Sequence, residues 1–332
     1  DYEQTTSNYS TTNVTHLTTK DGLTNNAIFA FTSGSSSSVL WIGSDGPGLN
    51  YYSYKDNRIH TINNPTRVRI AGVHSILEKS DSILWVGSGS SLLKIAIESH
   101  NTDVSIKNIR PYNFYIPNKV QYNQIYSICA ENDSILWIGM RGNGLIRLNT
   151  ITENYRLINF TEKDGIVPMN DILCIHQDKN HQFWLGTSYG LTKISILPDG
   201  EIEYKNYSEN EGLPNNTIHG ILEDDLGNLW LSSNTGIILF NPYQNTFQNL
   251  NHKTGLKTIE FSDNAYYWDP TKKRCFFGGV DGLVWIKNNP NAKKKFLPEI
   301  HFTQLRIFNQ EYNISEFVEE RKDEKTIVLN HN

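Results

Sequence analysis

The sequence predicts an all-β fold, a β-propeller of four-stranded antiparallel blades, and three observations support this prediction. A motif centred on tryptophan recurs six times along the 332 residues. The spacing between copies is about the length of one four-stranded blade. Short apolar segments and turns rich in Gly, Asn and Asp surround each copy, as is typical of repeated β-sheet units.

The repeated motif reads Leu-Trp-Ile-Gly-Ser or a close variant. Its aromatic positions are Trp41, Trp85, Trp137, Trp184, Trp230 and Phe276, separated by 44, 52, 47, 46 and 46 residues. Because a blade of four short strands takes roughly 40–50 residues, six blades are visible, and the pattern leaves room for a seventh. A large ring on the second strand fills the wedge between neighbouring blades, so we interpret these rings as buried scaffold.

Each repeat has the same internal order. An apolar segment before the motif is predicted to be the innermost strand, and its middle residue is small in five copies: Ala30, Ser75, Ser127, Cys174 and Gly220. A Gly-rich turn and a third strand follow the motif, and a more polar outer strand comes last. The next repeat then begins with a Gly-Leu loop, whose best copies are residues 21–26 and 211–216.

The repeats assign residues 1–290 to the propeller, 291–297 to a linker and 298–332 to the first strands of a truncated Ig-like β-sandwich. The opening segment Asn13–Leu17 resembles an outer strand, and it could complete the last blade. The last segment is too short for a sandwich, which takes closer to a hundred residues. The chain also starts with Asp1 rather than Met, so we expect a piece of a longer protein.

Composition excludes several classes of function. Lys and Arg are scattered on a chain of formal charge −5, so no basic face for nucleic acid is expected. Three distant cysteines predict neither a disulfide framework nor a metal site, and no cofactor motif is present. We predict no catalytic residues. The Asp224-Asp225 pair falls in a tight turn, and packing accounts for Cys174.

The candidate ligand-binding residues follow from topology. In a four-stranded antiparallel blade, the Gly-Leu loops and the turns between second and third strands lie on the same face. The repeat fixes the glycines of those turns and leaves their neighbours free to vary, as a binding face requires. We therefore predict binding by residues of these turns and by one residue of an inner strand; they are Asp45, Arg141, Tyr189, Asn234, Asp281 and His219. Each could instead be a solvated turn residue or, for His219, part of the core.

These motifs resemble the two-component regulator propeller repeats, followed by the start of the Tyr-rich (Y_Y_Y) β-sandwich module that accompanies them. The resemblance is carried by the Gly-Leu-x-x-Asn loops, the Trp strand, and Leu297-Pro298-Glu299-Ile300 after the last repeat. The chain departs from the pattern at Ser232, which replaces Gly, and at Phe276, which replaces Trp.

The resemblance implies the periplasmic sensor part of an inner-membrane hybrid two-component protein of the Bacteroides type, with its histidine kinase outside this chain. It implies an oligosaccharide ligand, and as partners the neighbouring propeller and sandwich domains and a second copy of the protein. Three hypotheses stay open: a sensor that binds an oligosaccharide, a propeller that only holds partner domains, and a polysaccharide-active enzyme.

Overall fold

The structure is a computed structural model that describes residues 15–33, 38–100, 103–116, 124–160, 170–197 and 199–287, and four short strands between residues 305 and 327. Its contacts divide the chain into two compact units, residues 2–288 and residues 289–332. Regular structure in the described ranges is β-strand, apart from three 3-10 turns at Thr19–Asp21, Glu209–Glu211 and His252–Thr254.

The first three blades contain four strands each. Blade 1 consists of β1–β4, at Ile28–Ser33, Val39–Ser44, Asn50–Ser53 and Arg58–Thr61. Blade 2 consists of β5–β8, at Val73–Ser80, Ile83–Ser88, Ser91–His100 and Asp103–Tyr112. Blade 3 consists of β9–β12, at Ile125–Ala130, Ile135–Met140, Gly144–Asn149 and Tyr155–Ile158.

The last three blades repeat this order, but the sixth has one strand fewer. Blade 4 consists of β13–β16, at Ile172–Gln177, Phe183–Thr187, Gly190–Ile196 and Ile202–Tyr207. Blade 5 consists of β17–β20, at Ile218–Glu223, Leu229–Ser233, Gly236–Asn241 and Thr246–Leu250. Blade 6 consists, in the described ranges, of β21–β23, at Phe261–Asp269, Arg274–Gly279 and Gly282–Lys287.

The six sheets form a ring around a central channel. Consecutive strands within each sheet pair antiparallel. The first strands of successive blades contact one another from β1 through β5, β9, β13 and β17 to β21, and β21 also contacts β1. The first strand of every blade is therefore innermost, and the predicted all-β propeller with six visible blades is confirmed.

The Trp residues of the motif are buried scaffold. Trp41, Trp85, Trp137, Trp184 and Trp230 are each at most 2% exposed. Four of the indole N–H groups donate to a carboxylate; the acceptors are Glu78, Glu131, Asp178 and Asp224, at 2.7–3.0 Å. A buried N–H group without an acceptor lowers the stability of the fold. These carboxylates remove that cost, so the indole rings can be fully buried in the core.

The small residue of each inner strand is explained by the approach of the next blade. In blade 4, Cys174 pairs with Gly186 of the second strand. A Cβ atom added to Gly186 would lie 2.7 Å from the carbonyl oxygen of Ile218, the first residue of blade 5's inner strand. The small residue of the inner strand therefore pairs with a glycine against which the neighbouring blade packs.

Blade 5 departs from this pattern and compensates for it. Ser232 occupies the usual Gly position, and its partner on the inner strand is reduced to Gly220. The ring of Tyr266 from blade 6 fills the space above Gly220, where an added Cβ would lie 2.8 Å from Tyr266 Cγ. In blade 5 the glycine of this pair therefore lies on the inner strand and the larger residue on the second strand, the reverse of blades 1 to 4.

The ends of the chain contain less regular structure in the described residues. Asn13 and Val14, from the segment expected to complete the last blade, lie outside the described ranges, and Thr15–Leu17 form no strand. The second unit contains β24–β27, at Leu305–Ile307, Gln310–Tyr312, Val318–Arg321 and Glu324–Ile327, which pair as two hairpins. Residues 298–304 of the expected sandwich strand also lie outside the described ranges. None of the helical turns in the described part of the chain has the length and apolar character that a bilayer crossing requires.

Candidate functional site: one mouth of the propeller channel

The beginnings of the inner strands and the turns after the second strands meet at one end of the channel. The amide of Asp45 donates to Ala27 O at 3.0 Å, that of Arg141 to Gln124 O at 3.0 Å, and that of Val280 to Glu260 O at 3.1 Å. The prediction that these segments share a face is therefore confirmed. We call this end the mouth; it comprises the beginnings of the inner strands and the residues that follow the second strands.

A bulge places one extra side chain of each of the first five inner strands at the mouth. In blade 1, Ile28 and Ala30 pair with the adjacent residues Ser44 and Gly43, so one residue of the inner strand has no partner. The same irregularity recurs in blades 2 to 5. The five bulge residues are Phe29, His74, Tyr126, Leu173 and His219. Such bulges direct side chains away from the regular ladder, and they are frequent beside functional sites.

Three of the bulge residues form a stacked column across blades 1 to 3. The rings of Phe29 and His74 have centroids 4.3 Å apart with an interplanar angle of 10°, and those of His74 and Tyr126 are 4.8 Å apart at 12°. Burial lowers the pKa of His74 below its usual value, and the nearby Asp45 carboxylate offsets part of that shift. His74 is thus predominantly a neutral ring at neutral pH, which suits a stack of aromatic faces.

Polar contacts continue from this column into blades 3 and 4. Arg141 Nη1 donates to Tyr126 Oη at 2.7 Å, and the guanidinium carbon lies 5.3 Å from the centroid of the Tyr126 ring. Arg141 Nε lies 3.9 Å from a carboxylate oxygen of Asp171, whose other oxygen accepts a hydrogen bond from Ser188. The arginine is therefore held over the aromatic column by two partners.

Blade 6 reaches across the channel at the mouth. Phe261 and Tyr266 of β21 pair with Gly279 and Phe277, so five steps along β21 match two along β22. We call the intervening residues 262–265 the strap. Asn264 has a left-handed backbone with φ of 58°. Its Nδ2 donates to the carbonyl oxygens of His74 at 3.0 Å and Tyr126 at 3.3 Å, on the other side of the channel.

A second polar chain links the strap to blade 5. His219 Nδ1 lies 2.6 Å from Asp263 Oδ1, and His219 Nε2 lies 2.7 Å from Asn234 Oδ1. Burial disfavours a charge on His219, but the hydrogen bonds to Asp263 and Asn234 outweigh it and hold the pKa above its usual value. The imidazolium form donates to both oxygens at once, so this arrangement stabilises a protonated His219.

The structure gathers four of the six predicted residues at the mouth. Arg141, Asn234 and His219 take part in the contacts above, and Asp45 is exposed but close enough to His74 to affect its pKa.

In blades 4 and 6, the residues directly after the second strand are Ser188 and Val280. The other two predicted residues, Tyr189 and Asp281, lie one residue further along the chain. The Tyr189 side chain is 42% exposed.

Sequence reasoning missed the strap and the Asp171–Ser188 contact. The sequence does contain one indication of the strap, which is the length of the segment before the motif aromatic of blade 6. From the loop glycine to the motif aromatic, the separation is 18 positions in blade 5, from Gly212 to Trp230, and 21 in blade 6, from Gly255 to Phe276. Two of the three additional residues belong to the strap bulge, because blade 5 already has a bulge of one residue.

The other chemistry considered from the sequence has structural explanations. Asp224 Oδ1 accepts from the amides of Leu226 and Asn228, and Oδ2 accepts from Trp230 Nε1. Burial raises the pKa of Cys174 well above its usual value, which disfavours a nucleophilic thiolate. Within the ranges that the structure describes, no three His, Cys, Asp or Glu side chains are arranged to hold a metal ion.

Comparisons with known proteins agree with the repeat. A family model described as "Two component regulator propeller" matches residues 167–189 and 212–235. Histidine kinase P4 of Formosa agariphila is 26% identical over 327 residues, in an alignment that covers 83% of this chain and 23% of that protein. The chain therefore spans less than a quarter of the length of this curated relative.

Two solved structures have similar folds. One is the extracellular domain of a protein assigned to hybrid two-component systems in B. thetaiotaomicron, with a TM-score of 0.57, 22% identity, and coverage of 89% of this chain and 44% of that one. The other is virginiamycin B lyase from Staphylococcus aureus, with a TM-score of 0.57, 16% identity, and coverage of 82% and 88%. At these identities the two structures support the propeller fold alone. The chain is therefore a β-propeller, and residues 167–189 and 212–235 match the two-component regulator propeller family model.

Proposed function

We propose that this propeller is a ligand-sensing domain of a two-component signalling protein. The observation that carries the proposal is the set of unlike side chains that six blades bring to one mouth of a repeated scaffold. Similarity to a histidine kinase along most of the chain supports the signalling context. The sensor lies in the extracytoplasmic part of an inner-membrane protein, and its signal passes to a histidine kinase outside this chain.

The ligand is an oligosaccharide that binds across the mouth. Sugars are recognised by aromatic rings that pack on their C–H faces and by planar polar groups that pair with hydroxyls. Phe29, the half-buried end of the stacked column, supplies a ring on one side of the mouth, and the buried rings of His74 and Tyr126 support it. Arg141, Asn234 and Asp263 supply planar donors and acceptors around it. Because the strap crosses the channel, the sugar binds on the outer side of the mouth.

Calorimetry on the 332-residue chain tests this proposal. The probes are neutral trisaccharides of glucose, xylose, mannose and galactose, together with a galacturonate trisaccharide. We expect saturable binding of at least one probe, and weaker binding after Arg141→Gln. The matched control is Arg156→Gln, because Arg156 has a similarly half-exposed side chain and pairs with Glu201 on the outer strands. Equal affinities of the two variants would place the site elsewhere, and no binding of any probe would favour a propeller that only holds partner domains.

The location of the sensor is tested in cells that express the full-length protein. A protease added to intact spheroplasts should cleave the propeller and leave a cytoplasmic kinase domain intact. Protection of the propeller until the membrane is permeabilised would contradict an extracytoplasmic sensor.

A further inference from the structure

Asp263 combines exposure to solvent with an unusually constrained position at the mouth. It lies on the strap, next to Asn264, whose amide is fixed by carbonyl oxygens of blades 2 and 3. The side chain of Asp263 is 32% exposed. The carboxylate is therefore open to a ligand, although its backbone is tied across the channel.

A chain of hydrogen bonds fixes the orientation of this carboxylate. Asp263 Oδ1 lies 2.6 Å from His219 Nδ1, and Asn234 Oδ1 lies 2.7 Å from the other ring nitrogen. The His219 side chain is only 13% exposed, so it has little freedom to turn away. Among the described residues, no side chain donates a hydrogen bond to Asp263 Oδ2, and this oxygen can accept from a ligand.

Asp263 also lies near the aromatic column. Burial lowers the pKa of His74 on blade 2 and raises the pKa of Tyr126 on blade 3, and the negative charge of Asp263 acts on both groups in the upward direction. The guanidinium of Arg141 is engaged by Tyr126 and Asp171. Asp45 and Asp263 both lie near the column, and Asp263 is the one whose carboxylate is oriented by a hydrogen bond to His219.

We propose that Asp263 contacts the ligand and sets its specificity, by accepting a hydrogen bond from a saccharide hydroxyl at Oδ2, and that His219 is its positioning residue. This inference deepens the proposed function and rests on it. An ionised carboxylate has only acceptors, and with Oδ1 bound to His219, Oδ2 is the oxygen that accepts from the hydroxyl. Hydrogen bonds to charged groups are stronger than neutral ones, so recognition depends on this contact.

The test compares Asp263→Asn with a matched control in the full 332-residue chain. The control is Asp225→Asn, an exposed carboxylate paired with Lys273 Nζ at 2.6 Å. The probe is the trisaccharide, from the panel above, that binds the unaltered chain most tightly. We expect Asp263→Asn to weaken binding at least tenfold, on the order of one charged hydrogen bond, and Asp225→Asn to change it less than twofold. Equal affinities of Asp263→Asn and the unaltered chain overturn the inference but leave the proposed function standing. Absence of binding by the unaltered chain overturns both.

Two further measurements remain decisive if Asp263→Asn unfolds the chain. Asp263→Glu keeps the charge and shifts the carboxylate by one methylene, so it should also weaken binding. In the unaltered chain, addition of the trisaccharide should shift the imidazole NMR signals of His219 and leave those of His252 unchanged. A saccharide that binds without moving the His219 signals contradicts the positioning role.

Discussion

Replacement of Trp184 by Phe tests whether the buried indoles depend on their carboxylate partners. Trp184 is 1% exposed, and its Nε1 donates to Asp178 Oδ2 at 2.8 Å. Loss of a hydrogen bond to a charged acceptor costs about 1.5–3 kcal/mol. The ammonium of Lys193, 5.6 Å from the ring centroid, adds about 0.5–1 kcal/mol that Phe only partly retains. We therefore expect Trp184→Phe to lower the free energy of unfolding by about 2–4 kcal/mol.

A double-mutant cycle with Asp178→Asn isolates the hydrogen bond. Asp178 Oδ1 accepts from two turn amides, and Asn can keep those bonds while losing the acceptor that faces the indole. The matched control is Trp85→Phe. Trp85 is equally buried beneath Lys94 but has no hydrogen-bonded carboxylate among the described residues.

Urea unfolding followed by far-UV circular dichroism gives the stabilities of these variants. We expect a coupling energy of about 1–2 kcal/mol between Trp184 and Asp178, and a smaller cost for Trp85→Phe. A coupling energy below about 0.3 kcal/mol would refute the reasoning, because the two side chains would then act independently.

Three other predictions concern the blades and the mouth. Gly139→Ala should destabilise the chain by about 1–3 kcal/mol in thermal or urea unfolding, because the added Cβ would lie 3.1 Å from Ile172 Cβ in the next blade. An unchanged stability would contradict close blade packing. The raised pKa of His219 makes a stabilising contribution that is complete below pH 6.5, its unfolded value, and is lost as the pH rises through the folded pKa. Melting temperatures across this range should show the loss, and His219→Gln should abolish it; the same loss in that variant would assign it to another group. Asn264→Ala leaves two channel carbonyls without a donor and should cost about 1–3 kcal/mol, with faster amide exchange in the strap as the local readout. Unchanged exchange would contradict a strap fixed by this side chain.

The architecture was predictable because the residues that pack one blade against the next recur at equivalent positions of each repeat. The small position and its opposing glycine follow from the approach of the next blade, and the sequence displays them 10 or 11 residues before the motif Trp and two residues after it. Even the exception in blade 5 is visible as the paired change to Gly220 and Ser232. Its compensation by the ring of Tyr266 requires the structure, since that residue lies in another blade.

The site was predictable only where its residues follow the repeat. Asp45, Arg141 and Asn234 occupy the same register after their second strands, so topology alone places them at the mouth. Tyr189 and Asp281 were selected for their chemistry and lie one residue beyond that register, and ligand binding by them stays a prediction.

The strap could not be predicted in detail because its contacts cross the channel. Asn264 and His74 are 190 residues apart in sequence, and no periodicity relates them.

Hydrogen exchange in the presence of saccharide shows whether ligand binds at the mouth. The 332-residue chain is exchanged with and without the tightest-binding trisaccharide, and protection is mapped onto peptides. We expect protection at the bulges of the inner strands and at the strap, in residues 27–31, 72–76, 124–128, 217–221 and 261–266. Protection confined to the opposite end of the blades, at the turns of residues 178–182 and 224–228, would contradict binding at the mouth.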